Sequence, residues 1–437
     1  MSFPTQIETI AGHAVADLAE QFGTPTFVYD AAKIVERIND LAAFDVTRYA
    51  QKAASNLALL DLVRRHGVLV DSVSAFEIRR ALAAGYQAGP DEPPQIVYTA
   101  DIFDREALDL VVEHNIPVNC GSPDMITQLG ERLGERTSAR GGTPNNSPRG
   151  ITLRINPGFG HGHSQKTNTG GEQSKHGIWH EQLEECVALA TRNHLTITGL
   201  HMHIGSGTDL EHLSQVCGAM EKAAHVVGPT LTTISAGGGL PTPYREGEER
   251  VDIPAYFDLW DATRNRLATA FGNPISLEIE PGRYLAAESG SLIAEIRAIK
   301  QMGKNLYYLL DAGFNDLARP ILYGSYHPMA VSPASDPGRP RPAQEVIVGG
   351  PLCESGDIFT QEEGGFVCSR PLPKASVGDY LVIGCTGAYS SVMGSNYNSK
   401  PLAAEVLLQD GAPHLIRKRQ TFEEMICGEV IPKAEYL

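Results

Sequence analysis

The stretch VLVDSVSAFEIRRALAAG, residues 68–85, contains the unit from which most of the chain is built. A short run rich in Val and Leu, typical of a buried parallel strand, is followed by a helical pattern. Comparable runs near positions 48, 95, 116, 151, 197, 232 and 276 alternate with helical stretches. About eight such units in roughly 250 residues predict an N-terminal (β/α)8 TIM-like barrel, and hence an α/β fold class.

A doubly wound parallel sheet is the alternative for the same alternation of strands and helices. The barrel is preferred because unusual residues recur at the C-terminal ends of most of the predicted strands. A barrel gathers those ends on one face, where its chemistry takes place. We therefore expect the functional residues of this part of the chain to converge there.

The pattern changes after about residue 285. Strand-like runs now follow one another, separated by Gly, Pro and Asp, as in NLYYLLDAG, GDYLVIGCTGAY and AEVLLQDG. They predict an all-β C-terminal domain, Greek-key or sandwich-like, which the early run TPTFVY could join. The predicted domains are a barrel at 29–284 and a β domain made of 1–28 plus 285–437. The stretch 134–150 has the composition of a loop.

Composition and charge limit the partners. The chain has 437 residues and a formal net charge of −16, which suits two domains and argues against nucleic acid or an anionic membrane as a partner. No apolar run has the length of a membrane span and the first residues lack a signal-peptide pattern, so we expect a cytoplasmic protein. Seven scattered cysteines without a CxxC motif favour reduced thiols over a disulfide framework.

Lys52 is the first candidate for chemistry. It lies in YAQKAASN, residues 49–56, near the C-terminal end of the first predicted strand, and Asn56 offers a cap for the helix that follows. An ammonium in mostly apolar surroundings has to be paired, lose its proton or form a Schiff base with a carbonyl compound. Taken alone, the stretch is more typical of a lysine that extends its ammonium into water.

Two motifs at the ends of the last strands suggest an anion site. The run SAGGGLPTPY, residues 235–244, brings Gly237, Gly238 and Gly239 after the seventh strand, where their backbone N–H groups can approach an anion. The motif EPGR ends the eighth strand and contributes Glu280 and Arg283. Barrels often bind phosphate with the loops after strands seven and eight, so the two motifs support each other.

The motif HMHIGSG, residues 201–207, ends the sixth strand. His201 and His203 lie on one side of a strand, which allows a metal site, but no suitably spaced further ligands are evident. A flat imidazole beside an aromatic cofactor, with Ser206 and Gly207 at its phosphate, explains the segment better. His201 is interpreted as structural.

Two further residues at strand ends are given a structural interpretation. Arg154 lies near the end of the fifth predicted strand and Asp71 near the end of the second. Opposite charges at two strand ends suggest a buried ion pair that braces the barrel interior.

The β domain carries its own candidates. DAGFNDLARPILYGSYHP, residues 311–328, holds Arg319 and Tyr323, four positions apart and on one face if helical, which suits a carboxylate. PLCESGD places Cys353 beside Glu354 in a turn, where the thiol is available for proton transfer. Tyr389 in GAYSSVMG offers a hydroxyl near a loop.

Together these candidates supply what pyridoxal 5'-phosphate (PLP) requires. They comprise a lysine for a Schiff base, a stacking histidine, a glycine-rich anion loop with an arginine, and a carboxylate for a pyridine nitrogen. The segments HMHIGSG, SAGGGLPTPY, EIEPGR, GGPLCESGD and GAYSSVMGSNYNSKP resemble the fold-type III PLP-dependent decarboxylases, within them the diaminopimelate decarboxylase family. The resemblance covers essentially the whole chain. It implies a homodimer whose active sites form between subunits.

The resemblance also implies a role for each matching residue. Lys52 would bind the cofactor covalently and His203 would stack on its ring. Glu280 would pair with the pyridine nitrogen, and Arg283 would belong to both the cofactor and the substrate site. The implied phosphate-binding residues are Ser206, Gly237, Gly238, Gly239 and Tyr389. The implied substrate-binding residues are Arg283, Arg319, Tyr323, Glu354 and Tyr389, with Cys353 as the leading proton donor.

The implied activity is decarboxylation of meso-2,6-diaminopimelate at its D-centre to L-lysine and CO2, the last step of lysine biosynthesis. A decarboxylase for D-lysine or D-ornithine on the same scaffold is the nearest alternative, and an amino-acid racemase is another. From a different class of protein, the chain could be a catalytically silent regulatory homologue. The sequence predicts no metal.

Overall fold

A computed structural model of the chain describes residues 3–89, 93–139, 149–160, 170–203, 209–336 and 338–432. The chain folds into two compact units. The barrel unit comprises Lys33–Pro243 and Glu249–Ala286. The β unit comprises Met1–Ala32, Tyr244–Glu248 and Ala287–Leu437.

The barrel unit contains the predicted eight parallel strands in a closed ring. Each pairs with the next along the chain, and the eighth closes onto the first through Glu278 with Val46 and Ile279 with Thr47. The prediction of a TIM-like barrel is confirmed. In chain order the barrel strands one to eight are Val46–Ala50, Leu69–Ser72, Ile96–Ala100, Val118–Cys120, Arg149–Asn156, Leu195–His201, Thr233–Ser235 and Ser276–Ile279. A short ninth strand, Ile178–Trp179, adds to the fifth.

Helices alternate with the barrel strands as the sequence pattern predicts. In the helix Ala75–Ala83, Ala75, Ile78 and Ala81 recur every third position and are buried, while Ser74 caps the first turn by accepting from the Glu77 N–H at 3.2 Å. Full burial of a side chain such as Ile78 contributes about 2 kcal/mol. The helices are Ala31–Asn39, Leu57–Arg65, Ala75–Ala83, Arg105–Glu113, Pro123–Ala139, Leu183–Arg192, Leu210–Val227, Ile253–Phe271 and Arg283–Ala286.

The interpretation of 134–150 as a loop is wrong at both ends, because the helix Pro123–Ala139 includes 134–139 and the strand Arg149–Asn156 includes 149–150. Arg132 joins Asp109 at 2.7 Å and Glu135 at 3.0 Å, and such pairs together with strong helix formers outweigh one glycine in the turn. The positions 140–148 lie outside the described residues.

The β unit is built on one large sheet with nine strands in the described residues. Along its main path the strands are Arg370–Pro373, Ala343–Gly349, Asn305–Leu310, Gly290–Met302, Thr26–Asp30, Ala404–Gln409 and Ala412–Arg417. The remaining two, Met329–Ser332 and Tyr380–Gly384, pair with each other, and the latter also pairs with Gly290–Met302. A two-stranded sheet, Thr9–Ile10 with His13–Ala14, and the helices Val15–Phe22, Arg319–Tyr323 and Phe422–Ile426 complete the unit.

The N-terminal run joins this sheet, as predicted. Thr26–Asp30 pairs antiparallel with Gly290–Met302 and parallel with Ala404–Gln409, so it lies inside the sheet. Its Val28 packs in one apolar core with Leu18 of the first helix and with Ile293 and Val406. No helix within the described ranges is long and apolar enough to cross a membrane.

Candidate active site

Lys52 lies just past the first barrel strand, as the sequence predicts. The strand ends at Ala50 and continues into a 3-10 turn, Gln51–Ala53, in which Gln51 and Ala53 are buried and Lys52 is exposed. Asn56 caps the following helix by accepting from the Ala58 N–H at 3.0 Å. The lysine is therefore presented at the C-terminal end of a barrel strand, where barrel enzymes have their chemistry.

Two buried side chains fix the turn that carries Lys52. The Tyr49 hydroxyl donates to the Ala54 carbonyl at 3.0 Å. The Gln51 amide donates to Ser72 Oγ at 2.7 Å and to the Glu77 carbonyl at 3.1 Å, which attaches the turn to the end of the second strand. These contacts hold the backbone on both sides of the lysine, so its side chain starts from a fixed point.

Glu280 is a buried carboxylate with a complete set of donors. His201 Nε2 lies 2.7 Å from its Oε2, while Ser235 Oγ and Asn119 Nδ2 donate to Oε1 at 3.1 and 3.4 Å. Burial by itself raises the pKa of a carboxyl, but the charge and hydrogen bond of His201, with the nearby Arg48, outweigh it and lower the pKa of Glu280 to about 2. Glu280 is therefore a fixed negative charge, and His201 is a buried partner of its carboxylate.

Arg48 and Glu278 form a separate buried ion pair beside Glu280. Arg48 Nε donates to Glu278 Oε2 at 2.7 Å and its Nη2 donates to Oε1 at 3.0 Å, in a bidentate arrangement. Arg48 Nη1 also donates to the Pro94 carbonyl at 2.6 Å. This pair braces the barrel interior between strands one and eight.

The predicted ion pair between Arg154 and Asp71 is wrong: in the described part of the chain these two residues form no ion pair. Burial raises the pKa of Asp71 to about 7, and the Glu280 charge acts in the same direction. Arg154 instead acts on Asp101. Burial raises the pKa of Asp101, but a hydrogen bond from His176 and the charge of Arg154 outweigh it and lower the pKa.

His203 and the glycine run form a close-fitting cradle. The Gly238 N–H donates to His203 Nδ1 at 2.8 Å, and burial lowers the pKa of His203 well below its usual range, with the charges of Arg154 and Lys52 acting the same way. The imidazole is thus held neutral. A Cβ at Gly237 would lie 2.5 Å from the Met202 carbonyl oxygen, so no larger residue fits there. Ser206 lies outside the described residues.

These features fit PLP. The cradle accepts only glycine at its closest point, the neutral His203 presents a flat ring, and the low pKa of Glu280 leaves a carboxylate that can hold a proton on a pyridine nitrogen. Lys52 supplies an exposed amine at the end of a strand in the same barrel. Fold and site together define the class: a PLP-dependent enzyme built on a (β/α)8 barrel.

In the β unit, Arg319 and Tyr323 lie at the two ends of the helix Arg319–Tyr323, so the segment is helical, which is the condition under which the sequence places them on one face. Arg319 is buried and Tyr323 is half-buried. Arg319 Nη1 donates to the Tyr244 hydroxyl at 2.9 Å and Nη2 donates to Ser325 Oγ at 3.1 Å. Arg283, at the start of the helix Arg283–Ala286, belongs to the barrel unit and is half-buried.

Cys353 and Glu354 lie in a turn at the surface of the β unit, as the sequence predicts, and both are exposed. The Cys353 N–H donates to Asn398 Oδ1 at 2.7 Å, and the Glu354 N–H donates to the Leu352 carbonyl at 2.8 Å. The backbone of this turn is thus held while both side chains are accessible in the isolated chain.

Tyr389 has a backbone φ of +56°, which L-residues other than glycine seldom adopt. Two residues later, Ser391 Oγ lies 2.9 Å from the Tyr29 hydroxyl and 3.2 Å from Glu405 Oε2. Tyr29 also donates to Glu405 at 2.8 Å, and Glu405 pairs with Arg417 at 2.6 Å. A buried polar network therefore holds the strained segment, which is common at functional sites.

Four contributors to these sites are missing from the sequence interpretation. Asn119 and Ser235, which donate to Glu280, are polar residues near the ends of apolar strands, and that signal was visible in the sequence. Gln51 stands next to Lys52 and was equally visible. The contact of Tyr244 with Arg319 was not visible in the sequence, because only the fold brings the two residues together.

Comparisons with known proteins agree with the class. The family model for pyridoxal-dependent decarboxylases, pyridoxal binding domain, matches residues 31–287. The diaminopimelate decarboxylase of Escherichia coli K12 is 53% identical over 420 residues, which cover 95% of this chain and 96% of the relative. That of Streptomyces coelicolor is 52% identical, over 96% of this chain and 92% of the relative.

Solved structures agree as well. A crystal structure of diaminopimelate decarboxylase has a TM-score of 0.88 and 52% identity, and covers 94% of this chain and 95% of that one. The Helicobacter pylori diaminopimelate decarboxylase complexed with L-lysine has a TM-score of 0.79 and 30% identity, and covers 94% and 98%. The chain belongs to the pyridoxal-dependent decarboxylases, in the diaminopimelate decarboxylase family, and its cofactor is PLP.

Proposed function

We propose that this PLP-dependent carboxy-lyase decarboxylates meso-2,6-diaminopimelate at its D-centre, releasing CO2 and leaving L-lysine. The observation that carries the substrate is Arg319, a guanidinium that is 7% exposed and has two neutral hydroxyl partners. A buried cation of this kind favours a ligand that brings a carboxylate. The reacting end of the substrate loses its own carboxylate, so the substrate must have a second one.

When bound, PLP supplies an electron sink for the carbon that loses CO2. Lys52 would hold the cofactor through its side-chain amine. Glu280 holds a proton on the pyridine nitrogen, and its network of donors keeps it ionised for this role. His203 would stack on the ring. The phosphate would be held by Gly237, Gly238, Gly239, Ser206 and Tyr389, with Arg283 shared between cofactor and substrate.

In this proposal, Arg283, Arg319 and Tyr323 bind the distal carboxylate. Glu354 contacts the distal ammonium of the substrate, and Tyr389 also contacts the distal end of the substrate. Specificity then follows from the cost of leaving a buried guanidinium unpaired. A substrate that lacks the distal carboxylate loses on the order of several kcal/mol of binding in the transition state.

Cys353 is the proposed proton donor. When the bond between the carbon and CO2 breaks, its electron pair stays with the substrate, and a proton must reach the same carbon to complete the amino acid. The Cys353 thiol lies in an exposed turn, which suits a donor that works in a shared site.

We also propose a cytoplasmic homodimer whose active sites form at the subunit interface. The exposed positions of Cys353 and Glu354 support this, because residues with a catalytic role are normally covered in the working enzyme. A mixture of two variants of strongly reduced activity, Lys52→Ala and Cys353→Ala, tests it. Activity that returns on mixing supports a shared site; no recovery, with exchange of subunits shown by light scattering, contradicts it.

The proposed substrate is tested by CO2 release from meso-diaminopimelate, D-lysine and D-ornithine, with wild type and Arg319→Ala. We expect wild type to prefer meso-diaminopimelate strongly and the variant to lose that preference. Equal turnover of all three by wild type would reject the substrate in favour of a broader decarboxylase. No cofactor absorbance and no CO2 would favour a silent homologue.

A further inference from the structure

The proposed role of Arg319 in binding a carboxylate does not explain what fixes the orientation of its guanidinium. Its guanidinium is held by the Tyr244 hydroxyl at 2.9 Å and by Ser325 Oγ at 3.1 Å, one through each terminal nitrogen. A guanidinium has more N–H donors than these two acceptors use. In the described residues it forms no ion pair, so its orientation is fixed while its charge is not neutralised.

Tyr244 makes a second contact with the same group. The Arg319 Cζ lies 5.2 Å from the centre of the Tyr244 ring, and the ring meets His327 edge-on at 5.3 Å between centroids. Packing on His327, which is fully buried, restricts the ring, and the ring in turn restricts the guanidinium. The hydroxyl and the ring of one residue thus define both the position and the plane of Arg319.

The backbone at Tyr244 is also fixed. The Glu248 carboxylate accepts from the N–H groups of Tyr244 at 2.7 Å and Arg245 at 3.1 Å, which closes the turn Tyr244–Glu248. This short segment belongs to the β unit although barrel residues precede and follow it in the sequence. Tyr244 therefore belongs to the β unit but comes from this short segment and not from one of the unit's strands.

The charge around this group favours an anion. Arg370 and Arg245 both stack on the Tyr326 ring, with Cζ at 3.8 and 4.7 Å from its centre. Arg370 also donates to the carbonyl of His327, the residue that packs on Tyr244. In the described residues neither arginine has a carboxylate within ion-pair distance, although the chain as a whole carries an excess of acidic residues.

We infer that Tyr244 is a specificity-determining positioning residue: with Ser325 it holds Arg319 in the orientation that receives the substrate's distal carboxylate. The inference rests on the proposed function of Arg319. Tyr244 acts through Arg319, so its hydroxyl affects recognition of the distal carboxylate and leaves the chemistry at the reacting carbon unchanged.

The test uses two inhibitors of the holoenzyme that differ in one group. L-lysine carries the distal carboxylate, and 1,5-diaminopentane is the same molecule without it. In Tyr244→Phe we expect the preference for L-lysine over 1,5-diaminopentane to fall about tenfold, since one hydrogen bond to a charged group is lost. Inhibition by 1,5-diaminopentane should stay within about twofold, and KM for meso-diaminopimelate should rise while kcat is kept.

Tyr326→Phe is the matched control, because it removes a phenol hydroxyl from the same arginine-rich region without touching Arg319. It should leave the preference unchanged. Ser325→Ala removes the other hydroxyl partner, and we expect it to lower the preference as well. It replaces Tyr244→Phe as the deciding variant if that protein does not fold.

The inference is overturned if Tyr244→Phe, or Ser325→Ala in its place, keeps the preference, or if both inhibitors weaken to the same degree. Arg319→Gln separates this failure from failure of the proposed function. If Arg319→Gln abolishes the preference while the deciding variant keeps it, the positioning role alone is wrong. If Arg319→Gln also keeps the preference, the carboxylate is bound elsewhere and both proposals are wrong.

Discussion

Two buried charges, one in each unit, have opposite surroundings. In the barrel unit, Glu280 is surrounded by His201, Ser235 and Asn119, and its pKa is lowered to about 2. In the β unit, Arg319 has two neutral partners. The buried Asp316 of that unit accepts from the Gly313 N–H at 3.3 Å.

Under the proposed function, this difference corresponds to a division of tasks between the two units. A cofactor that stays bound requires a constant field, so the barrel completes its charge network without a ligand. A substrate that comes and goes can supply the missing counter-charge itself, so the β unit leaves Arg319 without one. In the proposed function, selectivity arises from this missing charge, since only a ligand with the right anion completes it.

The largest expected effect concerns Lys52. If the barrel carries the covalent chemistry, Lys52→Ala should lower kcat on the order of 10³-fold or more and remove the visible absorbance of the bound cofactor. Cys353→Ala, in the β unit, should lower kcat on the order of 10²-fold and retain that absorbance. Spectra and CO2 release from both purified variants measure this. Equal losses, or loss of absorbance in both, would contradict the division between the units.

A smaller effect separates two carboxylates at the end of the eighth barrel strand. Glu280→Gln removes the fixed negative charge and should lower kcat on the order of 10²-fold with little change in unfolding. Glu278→Gln breaks the buried pair with Arg48 and should lower the free energy of unfolding by about 3 kcal/mol. Steady-state kinetics and urea unfolding of both variants sharpen the comparison. The proposed role of Glu280 fails if the two variants lose activity alike.

The smallest expected effect is the pH dependence of Asp316. Burial raises its pKa to about 7, so the folded state prefers the protonated form. Its stabilising contribution is complete below the unfolded value near 3.8 and is lost as pH rises through about 7. Asp316→Asn stays neutral at both pH values. Its free energy of unfolding, measured with urea, should therefore rise by about 2 kcal/mol relative to that of wild type between pH 5 and pH 8.

Leu317→Ala is the control for that measurement. It removes a neutral, fully buried neighbour of Asp316, so its cost of about 3 kcal/mol should be equal at both pH values. The contribution of Glu280 to stability depends on pH in the opposite direction. Because its pKa is lowered, this contribution is present above about pH 4.5 and is lost as pH falls toward 2. A pH-independent difference for Asp316→Asn would show that this carboxyl is not protonated in the folded protein.

Local sequence patterns were enough to predict most of the fold. The eight strand runs, the Asn56 cap and the N-terminal strand Thr26–Asp30 follow from periodicity and turn chemistry, which depend on neighbouring residues. The position of Lys52 follows too, because it stands two residues after a strand.

Pairings between distant residues could not be predicted in this way. Arg154 and Asp71 are both at strand ends, but which strand ends face each other depends on the stagger of the closed barrel. Arg48 with Glu278, and Tyr244 with Arg319, are set by contacts that no periodicity contains. The end of the helix Pro123–Ala139 was not predicted because the Gly, Ser, Pro and Asn residues of 134–150 give the whole stretch the composition of a loop.

The place of Thr26–Asp30 inside the β sheet has a consequence for biosynthesis. The ribosome makes this strand first, while Gly290–Met302 and Ala404–Gln409, which pair with it on either side, emerge only after the whole barrel sequence has been translated. Four of its five residues are buried in the finished protein, so the nascent chain carries an unpaired apolar segment for most of its synthesis. Completion of the β sheet is therefore a late, post-barrel event, and the strand must be kept from pairing with other chains until then.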